Sequence, residues 1–101
     1  MFKIMANQKL DPKRLEEAAS KLRAIAHPMR IAIIGLLENK EQMNVTEIYE
    51  ALRIEQASAS HHLNILKTKG VLDSRRSGKN TFYYLKHEAL SQMIDCLNRC
   101  Y

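Results

Sequence analysis

From Gln56 to Tyr84 the chain reads as a helix, a closing glycine and a basic hairpin, and a unit in that order limits the fold more than any other feature. The helix takes in Gln56 to Lys69, with Gly70 at its stop. Two strand-like segments, Val71 to Arg76 and Thr81 to Leu85, flank Ser77-Gly78-Lys79-Asn80, which is turn chemistry. Within the helix Ala59, Leu63 and Leu66 recur at spacings of three and four and, with the neighbouring His62, are expected to face inward. Gln56, Ser58, Ser60, His61, Asn64 and Lys67 are left outside or on the flank. Small polar side chains on an exposed helix can approach base edges in a DNA groove, where bulky apolar residues would block the way.

Charge points to the same segment. Between Gln56 and Lys86 the bases are Lys67, Lys69, Arg75, Arg76, Lys79 and Lys86 and the one acid is Asp73, a surplus of +5 that equals the net charge of the whole 101-residue chain. Lysines spread evenly would serve solubility, and a charged hairpin tip alone is commonly just solvated. Concentration on one contiguous helix and hairpin is instead the footprint of a polyanion contact, with Arg75, Arg76 and Lys79 as phosphate-binding candidates on the wing.

Three helices precede this unit. Asp11-Pro12 combines a capping residue with a proline suited to the first helical position, and Leu15, Ala18, Ala19, Leu22 and Ile25 then form one apolar stripe. His27-Pro28 repeats the start, and Met29, Ile31, Ala32, Ile33, Ile34, Leu36 and Leu37 make a helix apolar nearly all round, the expected core rod. Asn44-Val45-Thr46-Glu47 has the form of a capping box, opening a third helix with Val45, Ile48, Tyr49 and Leu52 on one face. A tight turn through Arg53-Ile54-Glu55 joins it to the fourth, which makes a helix-turn-helix.

A last helix is expected from about His87, with Leu90, Met93, Ile94 and Leu97 on one face and no helix left in the chain to cover it. The expectation is a mainly α chain with a small β-hairpin, in the order α-α-α-α-β-β-α: a flexible arm over residues 1–10 and one winged helix-turn-helix domain over residues 11–101. A chain this short supports one modest core, and such domains often gain stability by oligomerising. No stretch approaches the roughly twenty apolar residues of a membrane span, and Met1-Phe2-Lys3-Ile4-Met5 is too short for a signal-peptide core, so a cytoplasmic location is expected. Cys96 and Cys100 are too few and too close for a disulfide framework. They are a candidate redox pair, or else a small hydrophobe and a terminal residue.

Leu22-Arg23-Ala24-Ile25-Ala26-His27-Pro28-Met29-Arg30-Ile31, the run from Gln56 to Lys67 with Gly70-Val71-Leu72, and Phe82-Tyr83-Tyr84-Leu85 closing the wing, in this order and spacing, resemble the ArsR/SmtB family of winged-helix transcriptional repressors. The likeness covers about residues 12–100. It implies a homodimer built from the first and last helices, with the fourth helix in the major groove and the wing on the backbone or minor groove. Family members that sense soft metals or arsenic carry cysteines in the third helix, and Val45 to Ala51 has none. The C-terminal zinc constellation of other members, carried over by position, falls on His87, Ala89 and Cys100, with its fourth ligand beyond Tyr101, so that site is degraded and no metal is assigned.

The histidines His27, His61, His62 and His87 have no nucleophile elbow or glycine-rich loop near them, so neither an enzyme nor a cofactor is expected. The reading is a sequence-specific DNA-binding regulator, a repressor acting as a homodimer on a pseudo-palindromic operator in double-stranded DNA; its small-molecule, metal or redox inducer is not identifiable from sequence. The alternative from a different class is a winged-helix protein-interaction or RNA-binding module. The polar outer face of the fourth helix argues against its protein-interaction form.

Overall fold

The computed structural model describes residues 11–86, together with Cys96 and Arg99. The expected N-terminal arm and the last helix, including His87, Cys100 and the stripe from Leu90 to Leu97, lie outside the described residues.

Helix α1 (Pro12–Ile25) starts as its first residues require, with Oδ1 of Asp11 accepting from the Lys13 amide at 3.1 Å. It ends where Ala26, at φ −73° and ψ 66°, forms an inverse γ-turn closed by the His27 amide on the Ile25 carbonyl. Of its apolar stripe, Ile25 is buried, whereas Leu15 and Leu22 stay 52% and 51% exposed.

Helix α2 (Pro28–Lys40) is capped by His27, whose Nδ1 accepts from the Met29 amide at 3.1 Å. Ile33, Ile34 and Leu37 are buried, and Ile31 and Leu36 pack half-buried against the core. The helix stops at Glu41, held at φ 61° and ψ −51°, with the Gln42 amide donating back to the Lys40 carbonyl. This is the rarer γ-turn of positive φ, which turns the chain abruptly.

Strand β1 (Met43–Asn44) leads straight into helix α3 (Val45–Leu52), whose capping box is complete: Asn44 Oδ1 accepts from the Glu47 amide at 2.8 Å and Glu47 Oε1 from the Asn44 amide at 2.9 Å. The next turn runs through Arg53 in the left-handed region, φ 57°, and closes with the Arg53 amide on Glu50 and the Ile54 amide on Tyr49. Helix α4 (Gln56–Thr68) follows.

The end of α4 is a Schellman motif. The Gly70 amide bonds to the Lys67 carbonyl at 3.0 Å and the Val71 amide to the Leu66 carbonyl at 2.9 Å, with Gly70 at φ 80°. Strands β2 (Leu72–Ser77) and β3 (Asn80–Leu85) pair antiparallel, with Ser77 opposite Asn80. Only Gly78 and Lys79 lie between them, with positive φ at Gly78 and not at Lys79, the sign pattern of a type II′ hairpin turn. The turn is thus tighter than the four residues read from sequence.

The sheet has three strands in the order β1-β3-β2, not the two of a bare hairpin, because Met43 pairs with Tyr83 and Asn44 with Phe82. A two-residue strand carries no period, which is why sequence patterning passes over it. Side chains alternate across a strand, so Met43, Leu72 and Leu85 face the helices. There they join Ile25, Ile33, Ile34, Leu37, Ile48, Leu63, Leu66 and Val71 in one core. Burying each such aliphatic side chain contributes about 1.5–3 kcal/mol relative to exposure.

Candidate nucleic-acid interface

Helix α4 divides lengthwise into two sets of residues. Ala59, His62, Leu63 and Leu66 are buried against α2, α3 and β2, in line with their spacing. Gln56, Ser58, Ser60, His61, Asn64 and Lys67 are exposed. No side chain caps the amides of its first turn, in contrast to the complete box on α3.

The wing stands beside that outer face. Lys67 Nζ donates to Ser74 Oγ at 2.6 Å, tying the last turn of α4 to strand β2. Ser60 of α4 and Lys79 of the hairpin turn line one open cleft of about 320 Å³, together with Asn44, Val45 and Thr46 from the start of α3 and Asn80, Thr81 and Tyr83 from the wing. Sequence reasoning does not assign the residues at the start of α3 to this surface. Their contribution depends on β1 pairing with β3, a long-range pairing with no local signal.

Adjacent strand residues point to opposite faces, so the wing arginines part company. Arg76 shares the face of Ser74, towards α4, while Arg75 faces the rear, where its Nη2 donates to Gln42 Oε1 at 2.7 Å. Arg75, Arg76 and Lys79 are all exposed, as a phosphate-binding role requires, but only Lys79 lines the cleft with α4.

Behind α4, His62 is held by Arg30, whose Nε donates to His62 Nδ1 at 3.2 Å. Burial, and then the charges of His27, Arg30 and His61, push the His62 imidazole below its ordinary range. The inward position of His62 follows from helical spacing; its partner, from within a mostly apolar helix, does not.

Of the candidate redox pair, Cys96 is exposed and Cys100 lies outside the described residues, as does His87. Among the described residues no three or more His, Cys, Asp or Glu are placed to hold a metal ion, and no helix is long and apolar enough to cross a membrane.

Residues 27–74 match the family model described as bacterial regulatory protein, arsR family. An HTH-type transcriptional regulator of Methanocaldococcus jannaschii is 35% identical over 82 residues, 81% of this chain and 92% of the relative. The transcriptional repressor PagR of Bacillus anthracis is 32% identical over 95 residues, 94% of this chain and 95% of its own. The crystal structure of PagR superposes with a TM-score of 0.79, covering 86% of this chain and 99% of that one. The fold is therefore a winged helix-turn-helix, and the chain belongs to the arsR family of bacterial transcriptional regulators.

Proposed function

We propose that this chain is a transcriptional repressor that binds a pseudo-palindromic operator as a homodimer and silences transcription by occluding a promoter. The observation that carries this reading is the polar outer face of α4, bare of large apolar side chains, sharing one cleft with the basic hairpin turn. Ser60, His61 and Asn64, with Gln56 and Ser58 nearer the helix start, are the candidates for base edges and adjacent phosphates; Lys67, Arg76 and Lys79 are candidates for phosphates. Arg75 joins them only by giving up Gln42. The naming of PagR as a repressor supports the direction of control.

Dimerisation is supported by Leu15 and Leu22, an apolar pair on α1 left open to solvent among the described residues. A two-fold axis would set two α4 helices about 34 Å apart, one turn of DNA. On this reading the chain works in the cytoplasm without catalysis, cofactor or resident metal. Cys96 and Cys100 offer a thiol route for an inducing signal.

An electrophoretic mobility assay on duplex DNA from upstream of its own gene tests the reading. A shifted band that survives excess random duplex is the expected result. Binding that random duplex removes equally, or a preference for single-stranded RNA, would overturn it.

A further inference from the structure

His62 is the one buried polar residue among the described residues, 8% exposed on the inner face of α4. Its Nδ1 accepts from Nε of Arg30, and Nη1 of the same guanidinium donates to the Ala24 carbonyl in the last turn of α1 at 3.0 Å. Arg30 therefore fastens three helices at one point: its own α2, the end of α1 and the inner face of the reading helix. The His27 ring lies 4.7 Å from that of His62, tilted by 54°, and its own Nδ1 is occupied as an acceptor for the Met29 amide.

A neutral imidazole has one donor and one acceptor nitrogen, so accepting from Arg30 fixes Nδ1 as the bare nitrogen and Nε2 as the protonated one. A proton added at Nδ1 converts the acceptor into a donor facing a second donor. The titratable and charged groups that face His62 are His27 from the α1–α2 junction, Arg30 from α2 and His61 from its own helix, whose ring is 5.7 Å away. Among the described residues none of these is an acid, so none of them compensates the new charge. Either the imidazole or the guanidinium must turn away, and both anchor the inner face of the helix that carries Ser60, His61 and Asn64 outside.

We propose that Arg30 is a positioning residue for the reading helix, acting through Nδ1 of His62, and that operator recognition is lost as His62 takes up a proton. The inference rests on α4 being the operator-reading helix, as argued above. Burial, first, and then the neighbouring His27, Arg30 and His61 hold His62 below its ordinary range, so the coupling acts on the acid side. A chain made more positive by acid also binds any DNA more tightly, whatever its sequence. The informative quantity is therefore the ratio of affinities for the upstream duplex and a random duplex of equal length.

That ratio should be measured on the full chain at fixed ionic strength from about pH 7.5 to about pH 5, across the range in which histidine titrates. It should fall by roughly threefold to tenfold in the native chain, as expected for one linked proton per subunit. His62→Asn places an amide oxygen near the position of Nδ1 and does not titrate in this range, so its ratio should stay flat whatever its absolute affinity. Long-range 1H–15N spectra of the native chain should show His62 as the Nε2–H tautomer at about pH 7.5, with a protonation midpoint that coincides with the fall in the ratio.

A ratio indifferent to pH, an equal fall in His62→Asn, or a His62 protonated on Nδ1 at neutral pH would overturn the coupling. If His62→Asn does not fold, the two midpoints in the native chain decide, and a mismatch overturns it. No preference for the upstream duplex at any pH sinks the repressor reading as well, whereas a preference that ignores pH sinks the coupling alone.

Discussion

Arg75 and Gln42 are joined by a hydrogen bond of 2.7 Å across the rear of the sheet, which binds strand β2 to the residue between the Glu41 turn and β1. Arg76, its neighbour in sequence, faces α4 instead and is exposed. Two adjacent arginines thus begin from different states before any DNA arrives.

The wing should report this difference through salt. Replacing Arg76 or Lys79 by Ala should weaken binding to all duplex DNA and lower the slope of log affinity against log salt by about one for each phosphate left unneutralised. Arg75→Ala should change the slope less, because Arg75 must first forfeit its bond to Gln42 to reach a phosphate. Equal slopes for the native chain and Lys79→Ala would remove the turn from the interface.

Two left-handed residues flank the reading helix, and they should respond in opposite directions. At Gly70 an added Cβ would meet only the Lys21 Cε at 3.7 Å, an ordinary van der Waals distance, so Gly70→Ala should cost about 1–2 kcal/mol through the φ of 80° alone. At Arg53, φ 57°, the native side chain already bears that cost. Arg53→Gly should raise stability by about 0.5 kcal/mol, the relief being partly offset by glycine's greater freedom when unfolded. Urea titrations of the two variants check both signs.

Stability itself should depend on pH through His62. Its imidazole is held below the ordinary value in the folded chain, so the unfolded chain takes up the proton first as pH falls. The contribution to stability is complete above the ordinary histidine value of about 6.5 and shrinks as pH drops below it towards the folded value. Thermal midpoints from about pH 8 to about pH 5 should therefore fall more steeply for the native chain than for His62→Asn.

Charge placed on the open face of α1 should separate subunits. Leu22→Glu, at a position 51% exposed in the single chain, should leave helix content intact, shift the sedimenting species from dimer to monomer at micromolar concentration, and weaken operator binding more than tenfold by removing the second half-site. A monomeric native chain would overturn the dimer reading.

Zinc should not induce this chain. Micromolar zinc and chelator should leave operator affinity within about threefold of each other, since a tetrahedral site needs four ligands and one position of the family's C-terminal set is here Ala89, which has no ligand atom to offer. A thiol oxidant that weakens binding of the native chain but not of Cys100→Ser would identify the inducing route as redox.

Local signals in this sequence are strong where one turn of chain decides the outcome. Asp11-Pro12, His27-Pro28, Asn44 with Glu47, and Gly70 each mark a helix boundary with side chains or a backbone angle that the structure uses as expected. The inner and outer sets of α4 are equally legible, because helical spacing alone separates Leu63 from Asn64. What escapes is long-range. Gln42 reaches Arg75, and Arg30 reaches His62, across 33 and 32 positions of sequence, and no periodicity links such partners. Strand β1 escapes for a related reason, since two residues become a strand only when β3 is beside them.

The lengthwise division of α4 has a consequence for how such a regulator changes over time. Ala59, His62, Leu63 and Leu66 answer to the core, while Ser60, His61 and Asn64 are exposed, and no position belongs to both sets. Where this face reads the operator, as proposed, substitutions on it can drift towards a new operator at nearly constant stability. Chains with one architecture can come to address unrelated promoters without ever passing through an unfolded ancestor.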